Sequence, residues 1–265
     1  MDMDKAFQVN KDSWNRKTQV HYESDFYDKF AFAKAKNSLN SYEQEALGDV
    51  TGKSLLHLQC HFGQDSLSWA NKGAVVTGVD ISDTSIELAR KLSADLEIPA
   101  QFICCNVLDT AQFLKRPFDI IYTSYGSIGW LPDLMPWAQM ISKLLKPGGT
   151  FYMVEFHPIA WMFDYNKETP AMSYAYHKKE AIYEEYEGTY ADPTASIQVA
   201  EYGWNHSLSE IIQSLIDAGL SIHKFAEHDA SPYQIFPGMT EEDGMYVLKN
   251  QLYPLLFEIE AKKVI

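Results

Sequence analysis

Cysteine is scarce in this chain of 265 residues: only Cys60, Cys104 and Cys105 occur. Two of the three are adjacent, so no disulfide framework and no C-x-x-C zinc pattern can be built from them. Basic residues are also few. Lys and Arg total 22 against 36 Asp and Glu, a formal net charge of -14. Such a field repels polyanions, which argues against DNA, RNA and anionic membrane surfaces as partners. The densest basic clusters, Lys178-Lys179 and Lys262-Lys263, are only pairs. No apolar run approaches the roughly 18 residues that a membrane span needs. The opening stretch MDMDKAFQVNKDSW is polar and lacks a signal-like apolar core. A reduced, cytoplasmic protein is the expectation.

Aromatic residues, by contrast, are plentiful at 14%. Extra rings fill cores, and they also line pockets for organic ligands.

Residues 1–50 read as a helical N-terminal cap. Phe26, Phe30 and Ala33 recur at helical spacing, as do Leu39, Tyr42, Ala46 and Leu47. From Lys53 the rhythm changes to short apolar runs alternating with helical patterns. Strands are predicted at 54–59, 74–80, 101–105, 118–124 and 150–156. Between them lie a short helix ending at Gly73, a helix opened by T-S-I-E at 84–87, and a helix around Trp137, Ile141 and Leu144 stopped by K-P-G-G at 146–149. This alternation predicts an α/β fold with a doubly wound, mainly parallel sheet covered on both faces. After His157-Pro158 the alternation breaks. The Tyr- and Glu-rich stretch 165–203 reads as one or two hairpins laid over the sheet edge as a lid. S-L-S-E at 207–210 opens another helix, and 221–228 and 255–261 supply final strands. The expected organisation is a cap (1–50), a Rossmann-like core (51–157), a lid insertion (158–205) and a C-terminal helix with the last strands of the sheet (206–265).

Ligands of such sheets bind at the carboxyl ends of the strands, where strand order switches. The first strand-to-helix turn reads L-H-L-Q-C-H-F-G-Q-D over 56–65, with Gly63 its one glycine. The G-x-G-x-x-G dinucleotide fingerprint and the G-x-x-x-x-G-K-[ST] phosphate loop are both absent, so NAD, FAD and nucleotide triphosphates are disfavoured. Asp80 ends the second strand, where a carboxylate can accept both hydroxyls of a ribose. A helix cap is the plainer alternative.

The series LLHLQCHFGQD, TGVDIS, FICCNVLD, FDIIYTSYGSIGWLPD and LLKPGGTFYMVEFHP resembles the class I S-adenosylmethionine-dependent methyltransferases over roughly residues 50–157. The H-L-Q-C-H-F-G-Q-D variant is similar to a subgroup known only generically as methyltransferases. The resemblance implies a seven-stranded sheet and S-adenosylmethionine as cofactor. Gln59, Cys60, His61 and Gly63 would face its methionine portion. Asp80 would hold the ribose, Ile81 would lie against the adenine, and Asn106 and Val107 would flank it. Ser124 and Tyr125 would lie near the sulfonium, Tyr125 as a catalytic candidate. The W-N-x-x-x-x-x-H-Y motif at 14–22 resembles a cap that closes over the cofactor, which would bring Trp14, His21 and Tyr22 to the pocket. Where His57, Gln59 and His61 stand, the usual loop has an acidic residue and glycines, so bulkier side chains would narrow the methionine pocket. Strand four ends in T-S-Y-G, unlike the N-P-P-Y-type signature of enzymes that methylate base or amide nitrogen.

Methyl transfer needs a base only if the acceptor arrives protonated. His157, at the end of strand five, is the first candidate, with Glu155 two positions earlier placed to orient it. His206 is the second. Trp130, after strand four, could wall the acceptor pocket. Each also reads as a packing or capping residue. The expected activity is methyl transfer to a small-molecule acceptor. The alternatives are a non-catalytic module that binds an adenosyl ligand and a protein methyltransferase; a Rossmann dehydrogenase fits least. No metal is expected, and oligomeric state is not legible.

Overall fold

The computed structural model describes residues 2–164, 171–177, 180–250 and 252–264. The pair Lys178-Lys179 and part of the predicted lid fall outside them.

Three helices come first: α1 (Met3–Glu23), α2 (Lys29–Ala35) and α3 (Ser41–Leu47). Then β1 (Ser54–Leu58), β2 (Val75–Asp80), β3 (Gln101–Cys104), β4 (Phe118–Thr123) and β5 (Leu145–Phe156) alternate with α4 (Gln64–Asn71), α5 (Asp83–Asp95), the short α6 (Thr110–Phe113) and α7 (Leu134–Leu144). Two small hairpins follow, β6 (Phe163–Asp164) with β7 (Ala171–Met172) and β8 (Ile182–Glu187) with β9 (Gln198–Gly203). The chain finishes with α8 (Leu208–Asp217), β10 (Leu220–His228), a small sheet of β11 (Ala230–Ser231), β12 (Thr240–Glu242) and β13 (Met245–Val247), and β14 (Leu256–Lys263).

Seven strands form the main sheet in the order β10-β14-β5-β4-β1-β2-β3. Pairing is parallel except at β14, which runs antiparallel to β5 and β10. Because side chains alternate along a strand, neighbours enter opposite cores. Leu56, Leu58, Ile121 and Phe151 pack with Trp137 and Ile141 of α7 on one face. Leu55, Ile120 and Tyr152 pack with Trp69 of α4 on the other. The chain leaves β1 toward β2 on one side and returns to β4 on the other. The switch crevice therefore lies at the carboxyl ends of β1 and β4.

Local differences from the sequence reading have clear causes. The N-cap of α5 is Ser82, whose hydroxyl accepts the N–H of Ser85, so the helix starts ahead of T-S-I-E. K-P-G-G lies within β5 as a bulge: Leu145 pairs with Phe118, and the next pair is Thr150 with Ile120. Gly149 is required there, since a Cβ would stand 2.9 Å from the carbonyl oxygen of Lys146. Phe26 and Phe30 are 44% and 79% exposed, and Phe32 is the buried ring of this segment.

The buried face of α1 is polar: Asn10, Ser13, Lys17, Thr18 and His21. Asn10, Lys17 and Thr18 are paired, while Ser13 Oγ and His21 Nε2 have no partner among the described residues. Asn10 exchanges two hydrogen bonds with the backbone of Tyr202, Arg16 donates to the carbonyl of Gln198, and Lys17 pairs with Glu201. The β8–β9 hairpin thus rides on α1 instead of lying along an edge strand. Together they cover the carboxyl ends of β1 and β2. Among the described residues, no helix is long and apolar enough to cross a membrane.

Candidate active site

The turn from β1 into α4 forms the floor of the site. Gln59 and His61 have φ of 52° and 51°, and Gly63 has 83°. The first two are left-handed non-glycine residues, each costing about 1–2 kcal/mol. The backbone follows the path glycines would take, and bulkier side chains stand on it. Gly63 has a packing role: a Cβ there would lie 2.8 Å from the Phe102 ring and 3.1 Å from Ala89. Cys60 is buried beneath the turn, its Sγ against the Cα of Gly78.

Asp80 ties this turn to β2. Its Oδ2 accepts the N–H of His61 at 2.8 Å and its Oδ1 the N–H of Ser82 at 2.9 Å. Burial pushes its pKa up to about 6, while these backbone donors work the other way. Each oxygen retains a lone pair for a further donor. α1 is seated directly above: Ser82 donates to Asn15 at 2.6 Å, and the hydroxyls of Thr18 and Ser85 meet at 2.6 Å.

On the β4 side, Gln59 Nε2 donates to the carbonyl of Ser127 at 2.8 Å. Its Oε1 is buried without a hydrogen-bond partner among the described residues. The Ser127 turn is fixed by Glu155, which is fully buried and accepts from the backbone N–H of Gly126, Ser127 and Ile128. Burial raises the carboxyl pKa of Glu155, and those N–H donors oppose the rise.

Aromatic rings roof the turn. Trp14 meets His61 edge-on at 5.3 Å and Trp130 at 5.4 Å, and Tyr27 stacks on His61 at 5.4 Å. His21 lies 5.4 Å from Tyr27 and 4.6 Å from Tyr190. Its Nδ1 is 3.3 Å from Nε2 of His61. Burial drives the pKa of His21 down to about 3, with the nearby Lys17 charge adding to the effect, and burial also depresses His61. Lys17 is itself only 2% exposed. Its ammonium pairs with Glu201 and lies 5.0–5.3 Å from the ring centroids of Trp14, Trp130 and Tyr186.

The structure therefore brings Trp14, His21, Gln59, His61 and Asp80 together. The other predicted residues have different surroundings. Asn106 caps the turn at Val107–Asp109, its Oδ1 accepting the N–H of Leu108 at 3.1 Å, and Val107 is buried in the core. The carbonyl of Ile81 accepts from Cys104 Sγ. Tyr22 packs edge-on against Phe62. Ser124 Oγ sits 3.4 Å from His57 Nε2. Tyr125 turns away to donate to Glu43 at 2.9 Å.

Two catalytic candidates are placed elsewhere. His157 takes Glu227 at 2.8 Å as its partner, not Glu155, and its Nδ1 accepts the N–H of Ile159. Both ring nitrogens are thereby occupied, and Glu155 is engaged by the 126–128 turn instead. His206 is 5% exposed, with Nε2 2.7 Å from the carbonyl oxygen of Leu131 and Nδ1 3.1 Å from Glu210, so it braces the start of α8. Sequence reasoning missed Lys17, Tyr27, Tyr186 and Tyr190. The signal for Lys17 was the spacing of Asn10, Trp14, Lys17 and His21 on one helical face. Among the described residues, no group of three or more His, Cys, Asp or Glu is set to hold a metal.

Residues 55–149 match the family described as a methyltransferase domain. Over 109 residues the chain is 33% identical to the ubiquinone biosynthesis O-methyltransferase of Proteus mirabilis, a match covering 41% of this chain and 44% of that relative. It is 34% identical over 121 residues to the protein of the same name in Pasteurella multocida, covering 42% of this chain and 50% of that one. The match thus spans about half the length of these curated relatives. Among solved structures, an S-adenosylmethionine-dependent methyltransferase of Clostridium acetobutylicum superposes with a TM-score of 0.58 at 15% identity, covering 90% of this chain and 99% of that one. A glycopeptide N-methyltransferase complexed with S-adenosylmethionine superposes with a TM-score of 0.54 at 15% identity, covering 83% and 85%. The fold is that of the class I S-adenosylmethionine-dependent methyltransferases.

Proposed function

We propose that this protein transfers the methyl group of S-adenosylmethionine to a small-molecule acceptor. The observation that carries the reading is the pairing of Asp80 with Gln59 across one turn. Asp80 offers spare lone pairs to a diol, and the buried Oε1 of Gln59 lacks the donor it needs. An unmet buried acceptor costs about 1–3 kcal/mol, which a bound ammonium or N–H would relieve. The residues fit the cofactor: Asp80 would take the ribose hydroxyls, Gln59 and the 59–63 backbone would face the methionine portion, and Asn106 has a second lone pair for the adenine amino group. Bound S-adenosylmethionine supplies an electrophilic methyl group on a cationic sulfur.

The protein's own work is alignment and exclusion of water. Glu155 holds the 126–128 turn, that turn holds Gln59, and α1 with the β8–β9 hairpin roofs the reacting centre. Proximity of this kind contributes up to about 7–11 kcal/mol in favourable systems. The relatives' O-methyl transfer supports an oxygen acceptor. The net charge of -14 favours a small molecule over nucleic acid or an anionic membrane surface, and the chemistry suits a cytoplasmic setting. The test is incubation with methyl-labelled S-adenosylmethionine and fractionated metabolite extract. Label should enter a small-molecule fraction with wild-type protein and not with Asp80→Ala. Label entering only protein or nucleic acid would refute the proposal.

A further inference from the structure

His21 stands apart from the other polar groups of the roof. Its residue is 0% exposed, and its Nε2 has no hydrogen-bond partner among the described residues. Buried polar atoms in native proteins are almost always paired, so an orphan of this kind marks a missing donor or acceptor. The other ring nitrogen is 3.3 Å from His61, on the turn that leads out of β1. The 3.3 Å contact is compatible with either tautomer; the one whose Nδ1–H donates to His61 leaves Nε2 a lone pair.

The surroundings restrict what can meet that lone pair. Tyr27 stacks on one side of the imidazole and Tyr190 tilts against it at 4.6 Å. The two tyrosine hydroxyls hydrogen-bond to each other across the ring. Tyr190 is nonetheless 53% exposed, and beside it Phe26 is 44% exposed at a ring distance of 5.5 Å. Tyr190 therefore presents one ring both to solvent and to His21. Aromatic walls accept a flat ring by stacking or edge contact. A cationic acceptor would stand beside the Lys17 ammonium, whose charge already helps to hold the His21 pKa down.

We propose that the methyl acceptor is a flat, neutral molecule bearing a hydroxyl of phenolic or enolic type, that it enters past Tyr190, and that its O–H donates to Nε2 of His21. His21 is then a specificity-determining residue for the acceptor, distinct from the Asp80 and Gln59 side of the site. The inference rests on the methyltransferase reading for the word acceptor, and its binding claim can be tested separately.

The test compares 4-nitrophenol with nitrobenzene, which lacks only the hydroxyl, by calorimetry on wild type, His21→Ala and His21→Gln, with and without S-adenosylhomocysteine. Wild type should prefer 4-nitrophenol at least tenfold and bind it in its colourless neutral form. His21→Ala should lose the preference, and His21→Gln, which keeps an acceptor oxygen, should retain part of it. Far-UV circular dichroism and a cooperative thermal unfolding transition, as in wild type, show that both variants are folded. No preference in wild type, an unchanged preference in His21→Ala, or binding of the yellow anion would overturn the proposal. Failure of wild type to bind S-adenosylhomocysteine would instead sink the methyltransferase reading, leaving the nitrophenol ratio to decide the role of His21.

Discussion

Substituting Gly63 by alanine should strain the site's floor more than an ordinary glycine replacement. Gly63 sits at the start of α4 with φ 83°, a conformation that costs an L-residue about 1–2 kcal/mol. It is also sterically closed. The new Cβ would stand 2.8 and 2.9 Å from two atoms of the Phe102 ring and 3.1 Å from Ala89. The same ring edge lies against Gly78, where a Cβ would stand 2.9 Å from it, and Phe102 is only 4% exposed, so withdrawal would displace buried neighbours. Overpacking of this kind costs about 1–3 kcal/mol, so the expected total is about 2–5 kcal/mol. Gly219 supplies the control. Its φ is 82°, and a Cβ there meets nothing within 4 Å. Gly219→Ala should therefore report the backbone cost alone. Urea unfolding of wild type and both variants, with m-values compared, separates the two contributions. If Gly63→Ala falls within about 1 kcal/mol of Gly219→Ala, the claim that Gly63 serves close packing is wrong.

Lys17 joins α1 to the hairpin, so Lys17→Met should cost about 3–5 kcal/mol by stranding Glu201, and the double variant Lys17→Met/Glu201→Leu should recover most of it. A double variant no more stable than Lys17→Met would show that the buried pair is not what the single change breaks. Asp80 gives a pH signature: its folded pKa of about 6 lies above its ordinary 3.8. Its contribution to the stability of the ligand-free protein is thus present below about pH 4 and lost as pH rises through 6, an effect on the order of 3 kcal/mol. Asp80→Asn should flatten that part of the stability–pH curve, and an unchanged slope would contradict the shift.

The central strands of the main sheet were legible because they are buried on both faces, and runs such as LLHL and FDIIYT can hardly be anything else. The capping of α8 by Ser207 was equally local and equally legible. What escaped depended on contacts distant in sequence. The polar face of α1 carries no hydrophobic periodicity, so the spacing of Asn10, Trp14, Lys17 and His21 acquires its meaning only with Glu201 beside Lys17. Phe26 and Phe30 fit a helical stripe in sequence, yet the turn between α1 and α2 leaves them facing solvent. Glu155 lies in β5 two positions before His157, and proximity in sequence suggested a pair. Three backbone N–H groups of the 126–128 turn claim Glu155 instead, and Glu227 takes His157. In the site itself, Asp80 and the 59–63 turn could be located from strand order. The left-handed backbone of Gln59 and His61 and the orphaned atoms of Gln59 and His21 emerge only from the folded arrangement.

The central claim is that Asp80 and the β1 turn hold S-adenosylmethionine. Calorimetric titration of wild type and Asp80→Ala with S-adenosylmethionine and S-adenosylhomocysteine tests it most directly. Micromolar binding weakened at least tenfold in the variant, about 1.4 kcal/mol, is the predicted result. No binding of either ligand by wild type at millimolar concentration, or equal binding by the variant, would contradict it.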